Sequence, residues 1–586
     1  MTQTPQTLTN RQWTHCCYVR NEHGNNMIVK EKTVTIDANT RKVIDVKSRL
    51  TTNDKALLNP RRRIYITKPQ YRNHDLKKET EDITATDMHI VEDRFLPQEL
   101  KKIFGIPEWK RVGLRKLCDS PYIYNADIKM ETLVRIAYEK FLRHEILHFT
   151  KGYLDIEASM LGCDRINAMT YIHENTVYTV ALKDFMKIYD DKKKFVRDAN
   201  EKDIRRAIEK HLGKFTEDGK IHIVNDKMKK PVDVKLDFHF KICENELELL
   251  LWIFNHIHKC ESDFIYIWNI SYDVPKIASR LQYYGHEPKE VFSHPSVPPQ
   301  WRHFYFKEDK KKTQHMSDKW HWVSTTGMSQ FVDQMLLYAR IRKAERKKSK
   351  YSLEAICQEE LGIGKLTLED DDEVSANVHL PHRLVGTKEW HVYMQQYNFV
   401  EYVVYNIQDV LLLKFLEDKN NDTRGLYSLT EHSGLSEFSK QSSMLKDSYY
   451  KFALDRGRVF AATGENMKGP YDDLIGKQGG AVLRADLCRD IGMRCIKQKP
   501  EFESMVLTMC SDLDYKAIYP SLKSGYGISK ETKISTTVAI QGQPQETIEH
   551  YYGAIATPEE NAVWVGHQYF GLPNYEEMAN LIRCGN

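Results

Sequence analysis

The sequence has no run of apolar residues long enough to cross a bilayer. Its most apolar stretch, Leu247 to Phe254, is interrupted by Glu248 and falls far short of the roughly 20 residues a membrane helix needs. The first residues, Met1 to Asn10, are polar and hold no apolar signal core. The 11 cysteines form no C-x₂-C pair and no secreted-type framework, which points to reduced thiols in a cytoplasmic setting with no membrane partner. There is also little net charge. A formal +4 is too small to announce a nucleic-acid binder, so any such surface must come from local basic clusters.

What is present is ordinary soluble composition, 41% hydrophobic and 29% charged over 586 residues, enough chain for several domains. The most informative stretch is Tyr153-Leu154-Asp155-Ile156-Glu157-Ala158. It reads as a strand with Leu154 and Ile156 on one face and both carboxylates on the other. Such a pair suits hard divalent cations, which prefer oxygen ligands; a solvated strand edge is the plainer alternative. Before it, residues 1–150 mix short strands with basic clusters such as Arg61-Arg62-Arg63, Lys101-Lys102 and Lys110-Arg111. Apolar spacing predicts a helix over 131–148. That helix carries His144-Glu145-Ile146-Leu147-His148, an H-E-x-x-H pattern that would place two histidines on one helix face for zinc. No second-half extension follows it.

Beyond Glu157 the pattern predicts a hairpin turning at His173-Glu174-Asn175. Residues 183–235 are densely charged and read as a surface insertion. Glu244 to Cys260 reads as an amphipathic helix with Leu247, Leu250, Leu251 and Phe254 as its stripe. Phe264 to Asn269 reads as a buried strand. It runs into Tyr272-Asp273, with Pro275 fitting the first turn of a helix. Asp273 could turn to a metal or serve only as an N-cap. Trp301 to Val323 reads as a protruding aromatic hairpin with a Lys310-Lys311-Lys312 tip, and Phe399 to Phe415 as a buried helix. Tyr405 and Asp409 share a face of it. A buried Asp409 needs a partner, either a metal or an arginine.

Taken in order, these motifs resemble the 3′–5′ proofreading exonuclease of family B DNA polymerases. The first motif is Asp155-Ile156-Glu157, the second runs from Asn269 to Tyr272-Asp273, and the third is Tyr405-Asn406-Ile407-Gln408-Asp409. Downstream, Gly476-Lys477-Gln478-Gly479-Gly480 resembles the Gly-Gly element between exonuclease and polymerase domains, with Ile475 or Lys477 where the family form begins with an aromatic. Asp514-Tyr515-Lys516-Ala517-Ile518-Tyr519-Pro520-Ser521 is similar to polymerase motif A, D-x-x-x-x-Y-P-S, aligning Asp514 rather than Asp512. Ile528-Ser529-Lys530-Glu531-Thr532 follows, as in bacteriophage members.

The resemblance implies a multidomain α/β and α+β chain. A mixed domain (1–148) would lead to an RNase H-like exonuclease (149–418), a helical connection (419–475) and an incomplete palm (476–586). It implies two-metal Mg²⁺ chemistry, with Mn²⁺ able to substitute. Asp155, Glu157, Asp273 and Asp409 would hold the exonuclease metals, and Asp514 the palm metals. Tyr405 would orient water, and Asn269 and Tyr272 would position the 3′ end. Gly479 and Gly480 would meet template. Backbone at Ala517 and Ile518 would meet the triphosphate, and Tyr519 would underlie the sugar. The implied partners are primer–template and single-stranded DNA, dNTPs and a sliding clamp. The family's D-T-D-S hairpin and K-x-x-x-N-S-x-Y-G helix do not occur in these 586 residues. The expectation is therefore a second polypeptide bringing fingers, second carboxylate and thumb. The alternatives are a stand-alone exonuclease with a vestigial palm, a zinc hydrolase through His144 and His148, and a non-enzymatic scaffold.

Overall fold

The computed structural model describes residues 7–465, apart from 53, 75–76, 79, 140, 143–146, 311–314, 344–347, 349 and 367–386, and six strands beyond residue 494. The chain divides into two compact units, Met1–Gly476 and Lys477–Asn586.

The first unit opens with an antiparallel meander of β1 (Thr7–Asn21), β2 (Gly24–Asp37) and β3 (Val43–Leu50). On β2, Lys30 and Lys32 are buried and grip one buried carboxylate, Asp263, at 2.8 and 2.5 Å. Burial alone would raise that carboxyl; the two ammonium groups instead hold it far below its ordinary range. The cluster fastens the meander to the main sheet. A second small sheet follows, from β4 (Arg61–Thr67), β6 (Thr86–Glu92) and β7 (Ile123–Tyr124), with the short β5 (Thr80–Asp82) beside it. Helix Met130–Glu139 is shorter than its spacing predicts. His148 lies beyond it in non-helical backbone, bonded in both directions to the Gln12 side chain. His144 and Glu145 lie outside the described residues.

The main sheet has eight strands. β8 (Lys151–Ala158), β9 (Ile166–His173) and β10 (Thr176–Leu182) run antiparallel. After the small hairpin β11 (Lys187–Tyr189) and β12 (Phe195–Asp198) come β13 (Lys214–Phe215), β14 (Ile221–Asn225) and β15 (Val232–Cys243), the last parallel to β10. On the other flank β16 (Phe264–Ile267) lies parallel to β8, and β19 (Gln330–Asp333) parallel to β16. The result is a mixed α/β layer covered by helices. Between β16 and β19, β17 (Phe304–Lys307) and β18 (Trp322–Thr325) form an antiparallel hairpin.

Four expectations change. Residues 183–235 are not a surface insertion. Helix Glu201–His211, closed by an Asn200–Asp203 capping box, buries Ile204, Ala207 and Ile208 in the main core, and β13 to β15 extend the sheet. In helix Glu246–Cys260 the buried face is Leu249, Leu250, Ile253, Phe254 and Ile257, whereas Leu251 is exposed. Pro275 sits inside helix Ile270–Tyr283 rather than in its first turn. In the hairpin segment, Trp301 and Trp320 are core anchors, with the Trp320 indole donating to the Leu435 carbonyl.

Helix Phe399–Asn420 crosses β8 and β9 and is buried on nearly every side. The chain then passes through helices Asp422–Leu429 and Gln441–Asp455 to β20 (Arg458–Phe460), which pairs with β5. Among the described residues no helix is long and apolar enough to cross a membrane. Among its described residues the second unit contributes three antiparallel strand pairs, Cys495–Lys499 with Phe502–Met505, Lys533–Val538 with Glu546–Tyr551, and Val563–Val565 with Gln568–Phe570.

Candidate active site

The site forms where the long helix faces the end of β8. Tyr402, Tyr405, Asn406 and Asp409 fall at i, i+3, i+4 and i+7, one continuous helix face. Three of these side chains meet the β8 carboxylates or join them. Tyr402 donates its hydroxyl to Glu157 at 2.5 Å, and Asn406 donates its amide to Asp155 at 2.7 Å. Asp409 completes a group in which one oxygen each of Asp155, Glu157 and Asp409 lies within 4.8 Å of the others. Tyr402 is itself fixed by Gln395, which also donates to the Ala158 carbonyl, and by His391 at 2.7 Å. The Tyr402 proton goes to Glu157, so His391 Nδ1 acts as a donor to that oxygen.

The opposite wall comes from the β16–helix junction. Asn269, Tyr272 and Asp273 line the same cleft, which has a volume of about 490 Å³. Asp273 is buried and Tyr272 is 47% exposed. The Asp273 carboxylate stands outside the three-acid group. Asp333, at the end of β19, caps helix Gln334–Ile341 through the Leu336 amide at 2.9 Å.

A third wall is the turn after helix Leu353–Leu361. Lys365 donates to Asp409 at 2.5 Å and to the Tyr405 hydroxyl at 2.9 Å. Its backbone amide donates to Glu354, which lines the cleft as well. A Cβ at Gly364 would meet the end of the Glu354 side chain, so a larger residue there would have to displace that carboxylate.

The electrostatics follow from crowding. Burial, then the neighbouring Asp409, raises Asp155 to about 7. Burial, then the neighbouring Asp155, pushes Glu157 and Asp273 well above their ordinary values, and burial raises Asp409 against the pull of Lys365. Burial would lower Lys365, but Asp409 and Tyr405 hold its ammonium well above the usual range. One cation therefore faces at least three desolvated acids. Among the described residues Asp409 Oδ1 is buried and accepts no hydrogen bond. An all-oxygen set of clustered, desolvated carboxylates fits hard divalent cations of the Mg²⁺ or Mn²⁺ kind.

Of the residues expected from sequence, the fold brings Asp155, Glu157, Asn269, Tyr272, Asp273, Tyr405 and Asp409 to one cleft. Gly479, Gly480, Asp514, Ala517, Ile518 and Tyr519 lie outside the described residues. The sequence reading missed Tyr402, Asn406, Gln395, His391, Glu354 and Lys365. Tyr402 had a signal, standing one turn before the third motif on its own face, and Asn406 lies within that motif. Lys365 had only a short Gly-Ile-Gly-Lys turn behind a helix.

Residues 195–356 match the family model described as the exonuclease domain of family B DNA polymerases. The match takes in Asn269, Tyr272 and Asp273 and the β17–β18 hairpin. It covers less than a third of the chain and ends short of Asp155 on one side and Asp409 on the other. No curated protein matches the chain. The matched domain is a nuclease module of a metal-dependent kind.

Proposed function

We propose that this chain is a 3′–5′ proofreading exonuclease joined to the start of a phage-type family B polymerase palm, with an RNase H-like exonuclease core. The observation that carries the reading is the Asp155, Glu157 and Asp409 oxygens gathered within 4.8 Å, in a cleft partly inside the exonuclease-domain match. The occupant would be the 3′ end of a DNA strand.

Asp155, Glu157 and Asp409 would hold the metal ions, with Asp273 completing the set from the opposite wall. When bound, such ions neutralise the scissile phosphate and acidify water. The protein's own groups do the rest. Tyr402 and Asn406 fix the two β8 carboxylates in orientation. Lys365 donates to Tyr405, so the Tyr405 hydroxyl directs its own proton away from the ammonium, toward a water or phosphate oxygen in the cleft. Lys365 also balances Asp409, a contact that a divalent cation held by that carboxylate would weaken. Tyr272, half-exposed at the rim, offers a ring face to the terminal base, and Asn269 a polar contact to the terminal nucleotide.

The polymerase part of the proposal rests on the resemblance at Asp514 to Ser521. Asp514 would bind metal with a carboxylate supplied by a second polypeptide, and primer–template, dNTPs and a clamp would be the partners. The test is digestion of a 5′-labelled single strand. The chain with Mg²⁺ or Mn²⁺ should shorten it stepwise from the 3′ end, and EDTA should stop it. Asp155→Ala with Glu157→Ala should abolish digestion while the circular dichroism spectrum stays native. Wild-type digestion by the double variant would reject the assignment.

A further inference from the structure

Each acid of the three-carboxylate group has one oxygen already taken by a side-chain donor. Tyr402 donates to Glu157 Oε2 at 2.5 Å, Asn406 to Asp155 Oδ2 at 2.7 Å, and Lys365 to Asp409 Oδ2 at 2.5 Å. What each acid can still turn to an ion is its other oxygen.

The two neutral donors are held in place. Tyr402 is buried, and its hydroxyl oxygen accepts from Gln395 at 3.2 Å and from His391 at 2.7 Å. Those two donors leave the Tyr402 proton with Glu157 as its acceptor. Gln395 is buried too. It donates to the Ala158 carbonyl and accepts from the Met160 amide, so the anchor and the carboxylate it grips are fixed to the same end of β8. Asn406 is fully buried, and among the described residues its own oxygen accepts no hydrogen bond. Turned over, the amide would set that oxygen against the Asp155 carboxylate. The NH₂ group therefore stays on the acid at the expense of the amide oxygen. An arriving cation repels the Lys365 ammonium, but it does not repel a hydroxyl or an amide.

This anchoring discriminates between ions of like charge. Ca²⁺ takes about six to eight oxygens and accepts both oxygens of one carboxylate. Mg²⁺ is smaller, demands near-octahedral geometry and keeps several waters. A donor on one carboxylate oxygen opposes the swing that would bring both oxygens to one ion. We propose that Tyr402 and Asn406 determine ion specificity: by anchoring one oxygen of Glu157 and one of Asp155, they hold each acid to one oxygen per ion and favour Mg²⁺ and Mn²⁺ over Ca²⁺. The inference rests on the metal-dependent nuclease reading and adds to it the groups that select the ion.

The experiment uses the full chain without DNA, so digestion plays no part. Its melting temperature is followed against MgCl₂, MnCl₂ and CaCl₂, which gives a dissociation constant for each ion. Tyr402→Phe removes only the hydroxyl, and Asn406→Ala removes the amide. Each should raise the Mg²⁺ and Mn²⁺ constants about tenfold, the lower end of what losing a group behind a metal ligand costs. The Ca²⁺ constant should change by less than about threefold, because a released carboxylate can offer both oxygens. A cooperative melt in EDTA shows that a variant folds. The two variants act on different acids, so either one alone tests the proposal. Wild-type constants in the variants overturn it. So does an equal loss of all three ions, which marks a structural role only, and so does Ca²⁺ bound by the wild type as tightly as Mg²⁺. A wild type that binds none of the three ions overturns the metal reading itself, and this inference with it.

Discussion

Asp155→Asn should make the metal-free protein more stable while removing its nuclease activity, and the gain should depend on pH in a defined direction. The Asp155 carboxyl has a folded-state pKa of about 7 against an ordinary value of 3.8. The folded protein therefore holds this proton more tightly than the unfolded chain does. Between about pH 4 and pH 7 the unfolded state has already lost the proton and the folded state has not, so stability falls as pH rises through that window. Above it the loss is complete and constant. At 1.36 kcal/mol per pKa unit the full penalty is about 4 kcal/mol, an order-of-magnitude figure because Asp155, Glu157 and Asp409 titrate together. Asparagine keeps the shape, can still accept from Asn406, and has no proton to lose. The assay is thermal unfolding by circular dichroism in EDTA from pH 4 to pH 8. The melting temperature of the variant should match wild type near pH 4 and exceed it increasingly up to pH 7. Saturating Mn²⁺ at pH 8 should reverse the order, because only the wild type can use the ion. Parallel pH profiles in EDTA would refute the account of strain among the carboxylates.

Lys365→Met should destabilise the metal-free protein by about 3 kcal/mol, the usual cost of stripping a buried ion pair of one partner, since Asp409 is buried and paired with Lys365 at 2.5 Å; urea unfolding should show most of that loss recovered in Mn²⁺. In the β17–β18 hairpin, exposed Tyr305 and half-buried Trp322 form an aromatic pair with ring centres 5.6 Å apart, so replacing both by alanine should slow digestion of duplex ends more than of single strands, and equal slowing would reject a strand-separating role. His148→Ala should leave nuclease activity within a few-fold, because His148 stands off the helix and makes its contacts to Gln12 through its backbone; tight stoichiometric zinc, lost together with activity in that variant, would restore the zinc reading.

Which parts of this fold were legible depends on how local their causes are. The D-x-E strand was readable because a period of two puts Asp155 and Glu157 on one side whatever surrounds them. The Tyr405–Asp409 pair was readable for the same reason at helical period. The wider face that includes Tyr402 and Asn406 was written in the same spacing. It was obscured because helix Phe399–Asn420 is buried all round, so no polar stripe stands out against an apolar one. The helix at 201–211 was hidden by the opposite effect. Its charged positions dominate, and only Ile204, Ala207 and Ile208 carry the buried face. Lys365 belongs to a third class. Its ammonium reaches Asp409 across 44 residues of chain, and no short-range pattern encodes a contact made by a turn closing over a helix. That contact also explains why a lysine is tolerated there. Four raised, buried carboxyls need a cation near them, and the ammonium of Lys365 supplies one. Crowded, buried carboxylates strain the fold, and among the described residues lining the cleft the lysine, Lys365, stands where it relieves them.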